Sequence, residues 1–354
     1  HVGSQVFDEE GSVYTDAAKI MFQFMAEMNE KYYLEADLLN MGKAQRWILL
    51  ANAYDCSHIR NKVAYNTAKT GLAFTPDTEW VGVYLNGEYV GLYLLSERNE
   101  IHPERVAIST EKSFLVSLEI PSRLEHQNYP FVSTEKGLAF RIHHTSVSEE
   151  VLRNHWQTVE NAILAEDGVD PVSGKRWDEL IDVDSWVHKY LLEELFANYD
   201  AGSISQYFYC DLYESSGKIY AGPAWDYDLS MGNVDSEYHP EYNNVNTGEE
   251  NYKGLYCQKF WYYYIMQIPE FQDKVKKRFN ELQPLIENLT TDNDLGKNRI
   301  NLCHSAQNPF FCQNAVNVSN RRGQFFELLF QDFFRTICFL QITDYCFSFI
   351  LKVK

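Results

Sequence analysis

Residues 182–228 constrain the fold most, because they specify a helix, a turn, an antiparallel hairpin and a second turn in unbroken succession. Within 185–196, Val187, Tyr190, Leu191 and Leu195 fall on one helical face, and Asp182 and Asp184 stand where caps belong. The helix runs out at Asn198-Tyr199-Asp200-Ala201-Gly202, whose Asn, Asp and Gly favour turns, so Asp200 leaves on a short loop with its carboxylate able to face a cleft. The aromatic-rich stretch 205–212 is predicted as a strand, Glu214-Ser215-Ser216-Gly217 as a turn, and 218–221 as the returning strand. Its end lies near the start of the first strand and leads through Gly222-Pro223-Ala224-Trp225 to Asp226 and Asp228, two carboxylates in an i, i+2 relation.

That order of carboxylates suits one chemistry. Phosphoryl transfer asks the protein to position an acceptor hydroxyl and to hold divalent ions that offset charge on nucleotide phosphates. Asp200 fits the first task and Asp226 the second, with Asp228 completing a magnesium site, since Mg²⁺ takes oxygen ligands and keeps several waters. Five residues beyond Asp200, where a protein kinase carries a metal-binding Asn, stands Ser205, a weaker neutral oxygen ligand.

Upstream, Asp55 and Ser57 can cap a helix through about Ala68, with Ile59, Val63 and Ala64 inward and Gly71 as its stop. Arg60 and Lys62 on that helix are candidate phosphate or ion-pair partners, or a solvated basic face. Segments 80–85 and 88–95 flank Asn86-Gly87, the signature of a two-residue type I′ hairpin.

Four segments in fixed order carry a resemblance: Arg46-Trp47-Ile48-Leu49-Leu50-Ala51-Asn52, Ile59-Arg60-Asn61-Lys62, the run from Val83 to Glu97, and Gly222-Pro223-Ala224-Trp225-Asp226-Tyr227-Asp228. Over roughly residues 45–235 the sequence resembles the spore-coat protein H (CotH) kinase family. The resemblance implies an α+β, two-lobed, atypical protein-kinase-like fold with a small β-rich lobe and a larger, mostly helical lobe. It implies transfer of phosphate from ATP, with Mg²⁺, to protein Ser/Thr. Asp200 is then the catalytic Asp, and Asp226 the counterpart of the metal-binding Asp that opens a kinase DFG motif. The helix through Ala68 becomes the regulatory helix of the small lobe. Ser96-Glu97-Arg98 becomes the hinge, its backbone meeting the adenine edge and the Glu97 side chain anchoring the lobes, against the plainer reading of a surface hairpin ending in solvated charges. The expected division is an N-terminal segment 1–44 belonging to a truncated small lobe, a small-lobe-like region 45–145, and a large lobe 146–354. A bacterial spore coat or a secreted setting, with a coat-type protein as substrate, goes with the family.

Departures from the kinase pattern keep two alternatives open. No GxGxxG loop occurs, no VAIK-like strand supplies a phosphate-binding lysine, and Lys31 is the nearest candidate. Where small-lobe strands are expected, 11–29 is predicted helical around Ala17, Ile20, Met21 and Phe24. An inactive pseudokinase or coat-assembly binding module is therefore the first alternative. A carbohydrate-active enzyme is the second, motivated by aromatic abundance and by paired carboxylates. Trp156, Trp177 and Tyr262-Tyr263-Tyr264 could stack sugars, although helical spacing assigns them to packing. His143 and His144 are adjacent on a strand and point to opposite faces, so they do not chelate one ion together.

A chain of 354 residues, 45% hydrophobic, can bury one large two-lobed core or two ordinary domains. Its formal charge of -19 disfavours nucleic acid and anionic membrane and favours a basic protein partner, and by itself equally fits a merely soluble protein; a Ser-rich, coat-type acceptor is what the family resemblance implies. No apolar run reaches the roughly 20 residues that cross a bilayer; Arg335, Gln341 and Asp344 interrupt the nearest one. The chain starts at His1 without an apolar leader, as a fragment or processed form would, so no compartment follows from it. Seven cysteines form no CxxC pair, which argues against a zinc site; Cys303 and Cys312 could pair in an oxidising compartment, but small buried hydrophobes are the better default reading. The sequons at Asn288 and Asn317 matter only in a glycosylating host. A polar loop over 235–253 takes the place of an activation segment, helices are expected at 255–268 and 270–288, and no family motif appears after about 301.

Overall fold

The computed structural model describes residues 35–55, 57–85, 88–212, 217–231, 233 and 260–290, together with the backbone of five short strands nearer the ends. Lys31, the Asn86-Gly87 turn, the 213–216 turn, the 235–253 loop, Cys303, Cys312 and Asn317 lie outside the described residues. The first elements are β1 (Gln5–Phe7), β2 (Val13–Thr15), β3 (Lys19–Gln23), β4 (Ala36–Asp37), β5 (Lys43–Ala44), β6 (Arg46–Leu50), α1 (Arg60–Ala68), β7 (Thr78–Leu85) and β8 (Glu88–Glu97). Next come β9 (Ser113–Glu119), α2 (Pro121–His126), β10 (Phe131–Ser133), β11 (Ala139–Thr145), α3 (Glu149–Leu164), α4 (Trp177–Leu180) and α5 (Val183–Phe196). The chain continues through β12 (Gln206–Asp211), β13 (Tyr220–Ala221), α6 (Tyr262–Ile265), α7 (Pro269–Thr290), β14 (Phe339–Gln341) and β15 (Phe349–Lys352). The fold is α+β, and its paired strands are antiparallel.

The chain forms two compact units, one of residues 1–58, 76–98 and 305–354, the other of 59–75 and 99–304. In the first unit the sheet order is β14-β15-β7-β8-β6-β3. Alternation along the strands places Trp47 and Leu49 of β6, Val81 and Val83 of β7 and Leu95 of β8 in one cluster with Leu38 and Met41. The β7–β8 pairing closes with Leu85 opposite Glu88, as a two-residue connection requires. The helix expected over 11–29 is replaced by β2 and β3. Apolar spacing around Ile20 and Met21 also suits a short strand, and pairing with β6, Ile20 opposite Leu49, decides between the two.

In the second unit the sheet order is β10-β11-β9-β12-β13. Six consecutive residues of the central strand β9 are buried because both of its faces are covered. Phe114, Val116 and Leu118 face a large aromatic core, while Leu115 meets Val106 and Tyr209 on the other side. The helices α3 and α5 build that core: Trp156 stacks on Phe140 with ring centroids 3.9 Å apart, and Trp186 lies 5.3 Å from Phe208. An aromatic of this kind truncated to Ala costs about 3–5 kcal/mol. Trp156 and Trp177 are thus packing residues and offer no sugar platform; of the tyrosine run, Tyr262 is buried and Tyr263 and Tyr264 are exposed.

Two boundaries differ from expectation. A division at residue 145 would cut the second unit's sheet, because β9 pairs with β12, Ser117 opposite Tyr207. The helix α1, expected with the small lobe, groups with the second unit. There it meets α5 and α7 at its C-terminal end: His188 bonds the Ala68 carbonyl at 3.2 Å, and Arg278 bonds the Thr70 carbonyl at 2.7 Å. Gly71 permits this approach, since a Cβ there would lie 2.5 Å from the His188 ring. The helix α7 matches the helix expected over 270–288 closely, with Pro269 at its first position.

Candidate active site

The site begins at the end of α5. Asp182 caps that helix by accepting the Ser185 N–H at 2.9 Å, and Ala197 ends it in the left-handed conformation, φ 46°. The predicted single apolar face is an underestimate: α5 is buried from Ser185 to Glu193 and again at Phe196. Beyond Ala197 the chain turns through Asn198 to Asp200, which is only 8% exposed. The Asp200 carbonyl accepts the N–H groups of Ser203 and Ile204 at 3.1 and 3.0 Å, and its own N–H donates to Asn198 Oδ1 at 3.3 Å. Ser205, at φ 58°, then starts the path into β12.

The second carboxylate loop returns from β13. Asp226 adopts φ 65°, a region costly for most non-glycine residues and concentrated at functional sites. Side chains hold both sides of its peptide unit. Its N–H donates to the Tyr65 hydroxyl at 3.3 Å, its carbonyl accepts the Asn198 amide at 3.4 Å, and the next N–H, of Tyr227, donates to Asn61 Oδ1 at 2.8 Å. Ser205 Oγ donates to Asp226 Oδ2 at 3.1 Å. The Tyr199 N–H adds a direct link to the Leu229 carbonyl at 3.0 Å. Asp226 and Asp228 are half-buried. Burial first, then the Asp226 charge and more weakly that of Asp228, hold the Tyr65 phenol well above its ordinary pKa, so it keeps its proton.

Beneath the loops lies a buried polar network. Lys189 and Glu193, one turn apart on α5, form an ion pair with both side chains fully buried. Lys189 Nζ donates to the Tyr227 hydroxyl at 3.0 Å, and that hydroxyl donates to Glu193 Oε1 at 2.7 Å. The other carboxylate oxygen, Oε2, accepts the Asn198 amide at 2.9 Å. Each polar side-chain atom of Lys189, Glu193, Asn198 and Tyr227 has a partner, as a buried ion pair requires. Burial and the adjacent Glu193 keep Tyr227 protonated.

Sequence reasoning named Asp200, Ser205, Asp226 and Asp228, and these lie on the two loops that the network joins. Arg60 is not a solvated cation: it is 1% exposed and its Nε donates to the Ser230 carbonyl at 2.9 Å, bracing α1 against the segment after Asp228. Lys62 is half-buried on α1. The helix start has Ile59 in the cap position, while Asp55 Oδ1 accepts from the N–H and hydroxyl of Ser57 at 3.0 and 2.6 Å instead of capping. Glu97 belongs to the first unit, where its Oε2 accepts the Asp77 N–H at 2.7 Å and its own N–H bonds the Asp77 carbonyl. It is buried, not a solvated charge. His143 bonds Ser117 at 2.8 Å and stacks on Tyr207, a packing role. Asn61, Tyr65, Lys189, Glu193, Asn198 and Tyr227 were missed. Asn198, two residues before Asp200, and Tyr227, between two aspartates, had a positional signal; Lys189 and Glu193 had none, since an i, i+4 pair ordinarily marks a solvated face.

The family model for CotH kinase protein matches residues 12–297, which takes in both carboxylate loops. The chain belongs to the CotH kinase family. Membership indicates a kinase-like function, and kinases in general use ATP and a divalent metal. No curated protein matches the chain. Among the described residues of this CotH kinase, no three His, Cys, Asp or Glu side chains group closely enough to hold a metal ion alone. The donor chemistry still fits magnesium: two half-buried carboxylates and a hydroxyl are hard oxygen donors, and Mg²⁺ commonly takes one or two carboxylates with phosphates and waters completing its shell.

Proposed function

We propose that this CotH kinase is an ATP- and magnesium-dependent phosphotransferase acting on protein Ser/Thr. Asp200 orients the acceptor hydroxyl and takes its proton; Asp226, with Asp228 and Ser205, supplies the oxygen donors that would hold Mg²⁺. Bound there, the ion would offset charge on the transferring phosphate. We read the first compact unit as the small lobe and the second as the large lobe, with the Ser96-Glu97-Arg98 hinge falling where the chain passes between them at Arg98 and Asn99.

The observation that supports this best is the joining of the two loops: the Asn198 side chain, two residues before Asp200, bonds the carbonyl of Asp226. Two carboxylates distant in sequence are thereby tied to one short set of hydrogen bonds. The charge of -19 favours a basic protein acceptor through long-range attraction, and among the described residues no helix is long and apolar enough to cross a membrane.

The test is transfer of labelled phosphate from Mg-ATP to the protein itself or to a basic Ser-rich protein. Transfer is expected to vanish in Asp200→Ala and in Asp226→Ala with circular dichroism unchanged. Full transfer in either variant would sink the assignment, and a folded wild-type protein that neither transfers phosphate nor binds nucleotide would favour a binding module.

A further inference from the structure

The polar network under the two loops has a hub. Asn198 is fully buried, and its amide satisfies three partners at once: Glu193 Oε2 at 2.9 Å and the Asp226 carbonyl at 3.4 Å accept from Nδ2, while Oδ1 accepts the Asp200 N–H at 3.3 Å. The orientation of the amide is decided by these partners. Turned over, its oxygen would face the Glu193 carboxylate and its NH₂ would face the Asp200 N–H. Glu193 is itself fixed by Lys189 and Tyr227, so the hub is anchored to α5. The chain from helix to site therefore runs Lys189, Glu193, Asn198, and from there to the backbone on both sides of the reaction.

We infer that Asn198 is a positioning residue that sets Asp200 and Asp226 relative to each other, and that with Tyr65 and Asn61 it holds Asp226 in its left-handed conformation. This rests on the phosphotransferase reading for its effect on rate, and on geometry alone for its effect on the metal-binding carboxylate. Three side chains from α1 and the Asp200 loop bind the N–H of Asp226, its carbonyl and the following N–H. A φ of 65° at a non-glycine residue persists only where neighbours over-determine it, and here those neighbours are identified. The conformation they hold is the one in which the Asp226 carboxylate meets Ser205 Oγ at 3.1 Å. Groups that orient a ligand from behind typically change metal affinity or activity 10–100-fold when removed. Misplacement of a reacting group by about 1 Å costs on the order of 100-fold in rate.

The experiment uses the full chain with Mn²⁺ as the probe, in the presence of a non-hydrolysable ATP analogue, and follows Mn²⁺ binding by electron paramagnetic resonance beside steady-state transfer with Mg-ATP. Asn198→Ala is expected to weaken Mn²⁺ about 10-fold and to lower kcat about 100-fold, with the KM for the acceptor protein unchanged, at a temperature where melting curves show it folded. Tyr65→Phe, which deletes one of the three ties and no packing volume, is expected to move both readouts in the same direction by less. A lowered melting temperature with wild-type Mn²⁺ affinity and kcat in both variants would reduce Asn198 to a structural residue and overturn the proposal. Should Asn198→Ala fail to fold, Tyr65→Phe and Asn61→Ala decide, and wild-type Mn²⁺ affinity in both overturns it. A wild-type protein that binds Mn²⁺ without transferring phosphate removes the phosphotransferase reading, while the Mn²⁺ readout still judges Asn198; one that binds no Mn²⁺ removes both.

Discussion

His188 makes the folded state sensitive to mild acid, and the size of the effect follows from its partners. On α5, its Nε2 donates to the Ala68 carbonyl at 3.2 Å and its Nδ1 accepts from Arg278 Nε at 3.2 Å. Both ring nitrogens are committed to the neutral imidazole, because a proton on Nδ1 would face the guanidinium. Burial first, then the Arg278 charge, lower its pKa from 6.5 to about 4, with Lys189 adding to the same direction and the Ala68 and Thr67 backbone opposing it. Above pH 6.5 the ring is neutral in both the folded and unfolded chain and adds nothing to pH dependence. As pH falls below about 6.5, the unfolded chain binds the proton first, so stability is lost progressively until pH about 4, where the folded form titrates too. At about 1.4 kcal/mol per unit the loss is about 2 kcal/mol at pH 5 and about 3 kcal/mol at pH 4. His188→Gln keeps a donor for Ala68 and an acceptor for Arg278 and removes the titration. Urea denaturation followed by tryptophan fluorescence, to which Trp156, Trp177, Trp186 and Trp261 in the same core contribute, should show wild type losing about 2 kcal/mol more than the variant between pH 7.5 and pH 5. Parallel curves for the two proteins would refute the linkage, since carboxylate titrations common to both cancel in the difference.

Two further perturbations probe the scaffold. Gly71→Ala drives a methyl group to 2.5 Å from the His188 ring, and thermal melting should register about 1–3 kcal/mol of overpacking, relieved when His188 is replaced by Ala in the same chain. Glu193→Ala leaves Lys189 buried without its carboxylate and should cost about 3–5 kcal/mol in denaturant unfolding, whereas the apolar double substitution Lys189→Met with Glu193→Leu, which takes the carboxylate acceptor only from the neutral Tyr227 hydroxyl and one Asn198 N–H, should cost less; equal losses would mean that those two groups, and not an uncompensated Lys189 charge, carry the cost.

What was legible in the sequence was local. Asp182 as a cap, the run-out at Asn198, the β7–β8 hairpin and the helix that became α7 rest on neighbours a few residues away, where turn chemistry and periodicity operate. What escaped depended on distant partners. Lys189 and Glu193 look like a solvated i, i+4 pair until Tyr227 closes over them from 34 residues beyond Glu193. Arg60 looks like a surface cation until Ser230 accepts from it, 170 residues away. The stretch around Ile20 and Met21 carries an apolar spacing compatible with either element type, and only the β6 backbone beside it selects the strand. The candidate carboxylates themselves could be named from sequence; of the groups bonded around them, Asn198 and Tyr227 had a positional signal, and Lys189 and Glu193 had none.

The strand order of the second unit has a consequence for how the chain reaches its folded state. The hairpin that carries the two carboxylate loops is footed on β9, whose residues lie far upstream: Ser117 pairs with Tyr207, 90 positions later. Closing such a separation costs more chain entropy than closing the hairpin itself, so the arrangement of the two carboxylate loops rests on a non-local pairing. A piece of the chain that began after residue 145 would contain Asp200, Asp226 and every residue of the hairpin, yet leave the edge of β12 open to water and to other chains. The candidate site is therefore not a transplantable motif of some thirty residues; its hairpin depends on a strand made long before the carboxylates are.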